Sequence, residues 1–314
     1  MLRYALIRTA YVVPILIGVS MITFGLLFLQ PGNPVEALLP MEASQEVVEF
    51  MKQQLGLDRP VPEQYLRWLW RTVRGDLGVS LYDGTSVAVQ ILDSLRNTLV
   101  LAIPAAVLSF SVGFALGIVA GYAPNGVADR LASTLAIVGV SLPQYWVAIV
   151  LVVMFSVSRN WLPAAGMGTE DGIPRSLGDL NYMVMPVIAM ALVPAGVVAR
   201  VVRAAVMDVL ALDFVAALRA KGLGETKVLA HVVRNATAAA LAVMGMQFGY
   251  LIGGSILIET VFNWPGAGQL LNLAIFRRDI PVLQGTIVVV AALFVLTNLL
   301  VDLLQALIDP RMRR

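Results

Sequence analysis

Six windows of the chain read as nearly unbroken apolar residues: 9–29, 99–122, 131–157, 183–199, 235–258 and 282–301. None of them contains Asp, Glu, Lys or Arg. Each is close to the ~20 residues that a helix needs to cross the hydrocarbon core of a bilayer. The pattern predicts an all-α membrane protein: one domain, residues 1–314, with six transmembrane helices. The first window ends in Gln30-Pro-Gly-Asn-Pro34, not in a small-residue cleavage site, so it reads as a retained span.

The segments between the windows differ in kind. The long one, residues 30–98, has Val47, Met51 and Leu55 at helical spacing, then Leu66, Leu69, Trp70 and Val73, with Pro60 and Pro62 between the two sets. This predicts two short helices lying on the outer membrane surface, with Trp68 and Trp70 at headgroup level. They would serve as a packed cap, a docking surface, or both. A Gly- and Pro-rich loop runs from Asn160 to about Tyr182 without a period. The last outer segment has a turn at Pro265-Gly266 and an amphipathic stretch over about 269–276. The segment 203–234 is charged, helix-prone and broken by Gly222 and Gly224. Phe214, Ala217, Leu218 and Lys221 fall on one side of a first helix, and a second starts at about Glu225. Helices so poor in apolar residues need something to dock against.

Orientation follows from the basic residues of short loops. Arg3, Arg8, Arg130, the cluster Arg200–Arg234 and Arg311, Arg313 and Arg314 share one side, against Arg159, Arg175, Arg277 and Arg278 on the other. Both termini and the 203–234 segment are therefore expected in the cytoplasm. Composition agrees with the membrane class: of 314 residues 59% are hydrophobic and only 13% charged, where soluble chains carry roughly 25%. The net charge of +2 gives no signal for nucleic acid, and no such partner is expected. With no cysteine and a single histidine, His231, thiolate chemistry and a histidine metal site are excluded.

Candidate chemistry is sparse. Gly222-Leu-Gly-Glu-Thr-Lys227 lacks the spacing of a phosphate loop. Ser255 has no base in reach of a nucleophile's needs. His231 reads as a surface or structural residue. Glu259 is expected at the outer boundary of the fifth span in a solvated position, and Asp302 paired with a loop arginine or capping an end. Ionisable residues at mid-span, the mark of proton-coupled carriers, are missing. Prolines 104, 143, 186 and 194 kink their spans. Ser141 and Gln144 flank the kink at Pro143, and Met244, Gln247, Leu251 and Ser255 share one face of the fifth span. These six residues are either helix-packing positions or the lining of a translocation path. Small residues at 249, 253 and 254 suggest close helix packing.

The segment DFVAALRAKGLGETKVLAHVVRNA, residues 213–236, resembles the cytoplasmic coupling loop of ABC-importer permeases of the dipeptide/oligopeptide/nickel family. FLQPGNPV, LGLDRPVPEQYLRWL, RGDLGVSL, SLPQYWVAIVL, GGSILIETVFNWPGAGQLL, RRDIPVLQG and TNLLVDLLQALIDPR also look like that family, in the expected order along nearly the whole chain. The long first outer loop makes the chain similar to the first of the two permease types. Departures from the general importer signature exist: Ala216 stands where a glutamate is usual, and Val232-Val-Arg-Asn235 replaces I-x-L-P, while Gly222 matches.

The resemblance implies a type I ABC-importer permease fold in the bacterial inner membrane and a chain that is not itself an enzyme. It implies a path formed with a second, homologous permease subunit, an external binding protein that delivers the substrate, and two ATPase subunits, or one fused pair, that bind the ATP and Mg. The chain itself would hold no cofactor. Di- or oligopeptides are the implied substrate class, though relatives also carry nickel chelates, glutathione or oligosaccharides. Asp213, Ala217, Leu218, Lys221, Gly222, Leu223 and Glu225 are the positions implied to couple to an ATPase. A secondary carrier or channel acting without ATPases is the alternative.

Overall fold

A computed structural model describes residues 2–29, 58–168 and 176–308. The sequence-predicted helix around residues 47–55 lies outside them, as do Arg175 and the arginines at 311, 313 and 314. The described residues form α1 (Leu2–Leu29), α2 (Val61–Val73), α3 (Val87–Tyr122), α4 (Val127–Ser141), α5 (Gln144–Leu151), α6 (Leu177–Leu210), α7 (Asp213–Ala220), α8 (Glu225–Gly253), α9 (Ile256–Val261), α10 (Ala267–Arg277) and α11 (Ile280–Ile308). A π-helical turn, Val152–Val157, prolongs α5.

Five helices are long and apolar enough to cross a membrane: α1, α3, α6, α8 with α9, and α11. α4 and α5 together, bent by 98°, bring the count to six if they are taken as one span. The window 131–157 is therefore interrupted by a sharp break, where the sequence pattern had suggested a kink. Its ladder stops at Leu142 and Pro143, both extended (ψ 131° and 126°). Proline has no N–H to continue the helix, and it also disfavours helical backbone at the residue before it. The segment 203–234 is mostly not a loop. α6 runs on to Leu210, and the second short helix expected from Glu225 is the first part of α8, continuous with the fifth span.

Three apolar clusters stack along the bundle. At the end where α1 begins and α11 finishes, Val198, Val202 and Val206 of α6 meet Val228, Val232, Ala236 and Ala240 of α8. The spacing of four puts each set on one helix face. The middle cluster joins Leu101, Ala105, Met185, Met190, Leu251 and Trp264. At the far end Val87, Ile91 and Leu95 pack on Ala267, Ala274 and Val282.

Glycine sets a close approach along the whole contact of α3 with α6. A Cβ on Gly113 would lie 2.6 Å from the Ala195 carbonyl oxygen, on Gly117 2.6 Å from Val202 Cβ, and on Gly121 2.8 Å from the Arg203 carbonyl oxygen. In lipid such small-residue stripes let dispersion contacts hold helices together. Of the small residues singled out on α8, Gly249 does pack closely, against the Phe294 ring, while Gly253 has open space around it. Gly245, facing Val301, is the tighter contact.

An ion pair fixes α4 to α6. Arg203 donates from Nε and Nη2 to the two oxygens of Asp129 at 2.7 and 2.9 Å. Asp129 is buried and also accepts from the Asn125 N–H and the Ser133 hydroxyl. Bidentate pairs of this kind are strong, and removing one partner leaves a charge uncompensated. Asp129→Asn is expected to lower stability, read as a drop in melting temperature of the detergent-purified protein; an unchanged melting temperature would show the pair to be idle.

The far end is sealed differently. Glu259 is fully buried, correcting the expectation of a solvated carboxylate. It accepts from the Thr98 hydroxyl at 2.7 Å and from the N–H groups of Gly268 and Gln269 at 2.7 and 3.1 Å. Trp264 Nε1 donates to the Asn97 carbonyl, and Asn97 Nδ2 donates to that of Pro265. Gly266 and Gly268 are required here because a Cβ on either would strike Glu259. Asp302 pairs with Arg8 at 3.0 Å, an arginine of α1 and not of a loop.

Candidate functional site

The short helix α7 hangs between two long helices at the end of the bundle where α1 begins and α11 finishes. Gly245 faces Val301 and Gly249 faces Phe294, so the start of α8 lies beyond the last turns of α11. α7 buries one residue completely, Val215, among the valines of α6 and α8. Val215 is not on the side that the sequence pattern picked out, where Phe214 and Ala217 are exposed. Leu218 and Leu223 are half-buried against the same cluster.

The helix stops at Gly222 through paired bonds. The Gly222 N–H donates to the Arg219 carbonyl at 2.9 Å, and the Leu223 N–H donates to that of Leu218 at 3.2 Å. Gly222 has φ +78°. This 6→1 and 5→2 arrangement, with its leucine–leucine contact, is the Schellman helix ending that favours glycine. Arg219 and Glu225 then clasp the turn through two bonds, 2.9 and 3.2 Å, and Tyr122 at the end of α3 donates to the same carboxylate. The chain thereby ties α7 to both α3 and α8. Of the seven positions that the family resemblance implied for coupling, Asp213, Ala217, Lys221, Gly222 and Glu225 are exposed, and Leu218 and Leu223 pack against the core. Val215, Arg219 and Tyr122 are the additions made by the structure. The first two sit on the quoted segment, but only the fold brings Tyr122 to them.

The six path candidates do not form one surface. Leu251 and Ser255 are buried inside the chain's own core, where the Ser255 hydroxyl donates to the Ile252 carbonyl. Met244 and Gln247 are half-buried one to two turns along α8. Ser141 is exposed at the break in the third span. Gln144 has a structural partner: its Nε2 donates to the Met190 carbonyl at 3.4 Å. That carbonyl is the one left free because Pro194, four residues on, has no N–H. The side chain repairs a helix defect in α6 and ties the break to it.

A nearly all-apolar cavity of about 660 Å³ is lined by α1 and α11, with Arg8 and Asp302, joined as an ion pair, and Val19, Gly253 and Leu271 also in its lining. No group of three or more His, Cys, Asp or Glu side chains able to hold a metal occurs among the described residues.

Comparison with known proteins gives a consistent result. The family described as binding-protein-dependent transport system inner membrane component matches residues 113–314, and the N-terminal family of the same transport systems matches residues 1–102. The chain is 36% identical to a dipeptide transport system permease protein of Alkalihalophilus pseudofirmus, over 100% of both chains. It is 38% identical to a glutathione transport system permease protein of Escherichia coli strain K12, over 100% of this chain and 99% of the relative.

Proposed function

The chain belongs to the family of binding-protein-dependent transport system inner membrane components, and from that membership we propose that it moves peptides inward with a second permease subunit, driven by two ATPases that grip α7. It is a multi-pass inner-membrane permease of an ATP-driven importer, with the type I ABC-importer permease fold. The relatives named for dipeptide and glutathione transport support a small-peptide substrate handed over by an external binding protein. Both termini and α7 face the cytoplasm in this reading, as the arginine asymmetry requires.

One observation carries the coupling role. α7 is anchored by a single buried side chain, Val215, while its alanine-rich outer face and Lys221 remain uncovered. A push on that face passes through Val215 to the α6–α8 cluster, and through Arg219 and Glu225 to α8 and α3. ATP and Mg belong to the ATPases, and the chain breaks no bond itself.

Purification of the tagged chain from its native membrane tests the assembly: two ATPase chains, or one fused chain, should come with it, and transport of peptides in liposomes should require ATP. Transport by the chain without ATPases would establish a secondary carrier instead. Orientation is checked separately, since the chain has no cysteine. Cysteine at exposed Ser86 should react with an impermeant thiol reagent in intact cells, and cysteine at Thr226 only after permeabilisation. The reverse pattern would invert the topology.

A further inference from the structure

The break between α4 and α5 lies beside the midpoint of the uncharged stretch of α6. On α6 the uncharged stretch between Asp179 and Arg200 is centred near Met190, and Met190 is the residue bound by Gln144. An independent measure agrees. From Arg130 to Ser141 α4 climbs eleven residues, about 16 Å at 1.5 Å per residue, or half of the ~30 Å hydrocarbon core. α4 is held in this register along α6 by the Asp129–Arg203 pair and by Gly139 against Leu192 and Gly196 against Ala136.

Two large aromatic side chains stand exposed just past the break. Tyr145 is 47% and Trp146 49% accessible, and neither the phenol nor the indole N–H has a hydrogen-bond partner among the described residues. Exposed Ser141 lies on the other side of the break. Tyrosine and tryptophan on a lipid-facing surface belong at the headgroup level, where their polar tips are wet. Interrupted backbone at membrane depth is tolerated only where it is covered by protein or borders water. Both constraints are met if this face borders a water-filled passage; a dry protein cover would satisfy the second but leave the phenol and indole N–H without water, and acyl chains would satisfy neither.

We propose that Tyr145 and Trp146 line the translocation path at mid-membrane and contact the peptide as it passes. This rests on the reading of the chain as a peptide permease. The chemistry suits an extended peptide: two flat rings offer apolar area at little entropic cost, and their O–H and N–H tips can bond to backbone carbonyls in passing. Gln144, the residue that the sequence marked, holds the break in place, and its neighbours face the substrate.

Single cysteines at 145 and 146, in the complex reconstituted with its ATPases and binding protein, decide the matter. Both should react with a charged, water-soluble methanethiosulfonate reagent, since only a wet thiol forms the reactive thiolate. Transport of trialanine, the peptide used as probe, should slow that reaction severalfold. Trp146→Ala should raise the KM for trialanine transport several-fold while binding-protein-stimulated ATP hydrolysis persists, and Trp146→Phe should restore most of the affinity. Unreactive cysteines, a disulfide cross-link to the second permease in place of labelling, or reaction that trialanine leaves unchanged would each overturn the assignment. A complex that moves trialanine without ATP would sink the ATPase reading instead. The labelling and its protection would still decide whether this face is the path.

Discussion

Gly222→Val is expected to abolish coupled transport while leaving the chain inserted and paired with its second permease. At φ +78° a β-branched residue sits where L side chains clash with their own backbone. The cost is about 1–2 kcal/mol, and it arises from the backbone alone, because a Cβ at this position meets no other atom within 4 Å. The turn can relieve the strain only by giving up the bonds from Gly222 to Arg219 and from Leu223 to Leu218. α7 then loses its fixed angle, and with it the registry of Arg219 against Glu225. If docking to the ATPase weakens by the same amount, its equilibrium constant falls roughly 5- to 30-fold. Peptide uptake and binding-protein-stimulated ATP hydrolysis in liposomes measure the effect. Gly222→Asn is the control, since asparagine tolerates the left-handed region. Normal uptake and stimulation in the valine variant would show that this turn does not transmit the motor's motion.

Gly117→Leu is expected to be the most damaging single change to the fold. The glycine faces the Ala199 carbonyl oxygen at 2.7 Å and Val202 Cβ at 2.6 Å, measured from where a Cβ would stand. Both obstacles belong to the frame of α6 and cannot swing aside like the end of a long side chain. Overpacking a well-filled core costs about 1–3 kcal/mol, and here two helices must separate along a stripe that includes Gly113 and Gly121. Separation also pulls on the Asp129–Arg203 pair and on the valine cluster that seats α7. The expected result is little or no monodisperse protein in detergent, or a melting temperature lower by several degrees. Gly18→Leu, on α1 with nothing within 4 Å, should behave as the unchanged protein. Equal stability of the two variants would rule out the α3–α6 contact as the keystone of the bundle.

The unequal fate of these residues shows how far the sequence reaches. Apolar run length alone located the spans, because an uncharged stretch of about 20 residues has one comfortable place to be. Pro143 marked the third span as irregular, and Gly222 marked the end of α7, since both residues act on their own backbone. The family resemblance lay in short local strings and survived comparison over the full chain. By contrast, whether Glu259 would be solvated could not be read locally. Its burial depends on Thr98, 161 positions earlier in the chain, and on N–H groups of a helix that folds back over it.

What the sequence by itself determined, then, was the membrane class, the existence of the long apolar helices, and the turn that frames α7. Each follows from chain-local physics: hydrocarbon transfer, helix period and allowed backbone angles. Tertiary structure alone decided that the third span breaks by 98°, and that Gln144 serves the carbonyl freed by Pro194. It also decided that Val215 anchors α7 and that Leu251 and Ser255 lie inside the core. Those outcomes depend on which helix lies beside which and at what register. In a chain whose helices are apolar on nearly every face, periodicity does not specify that choice. It is made by the fit of glycine stripes to valines and by a few polar side chains that must find partners away from water.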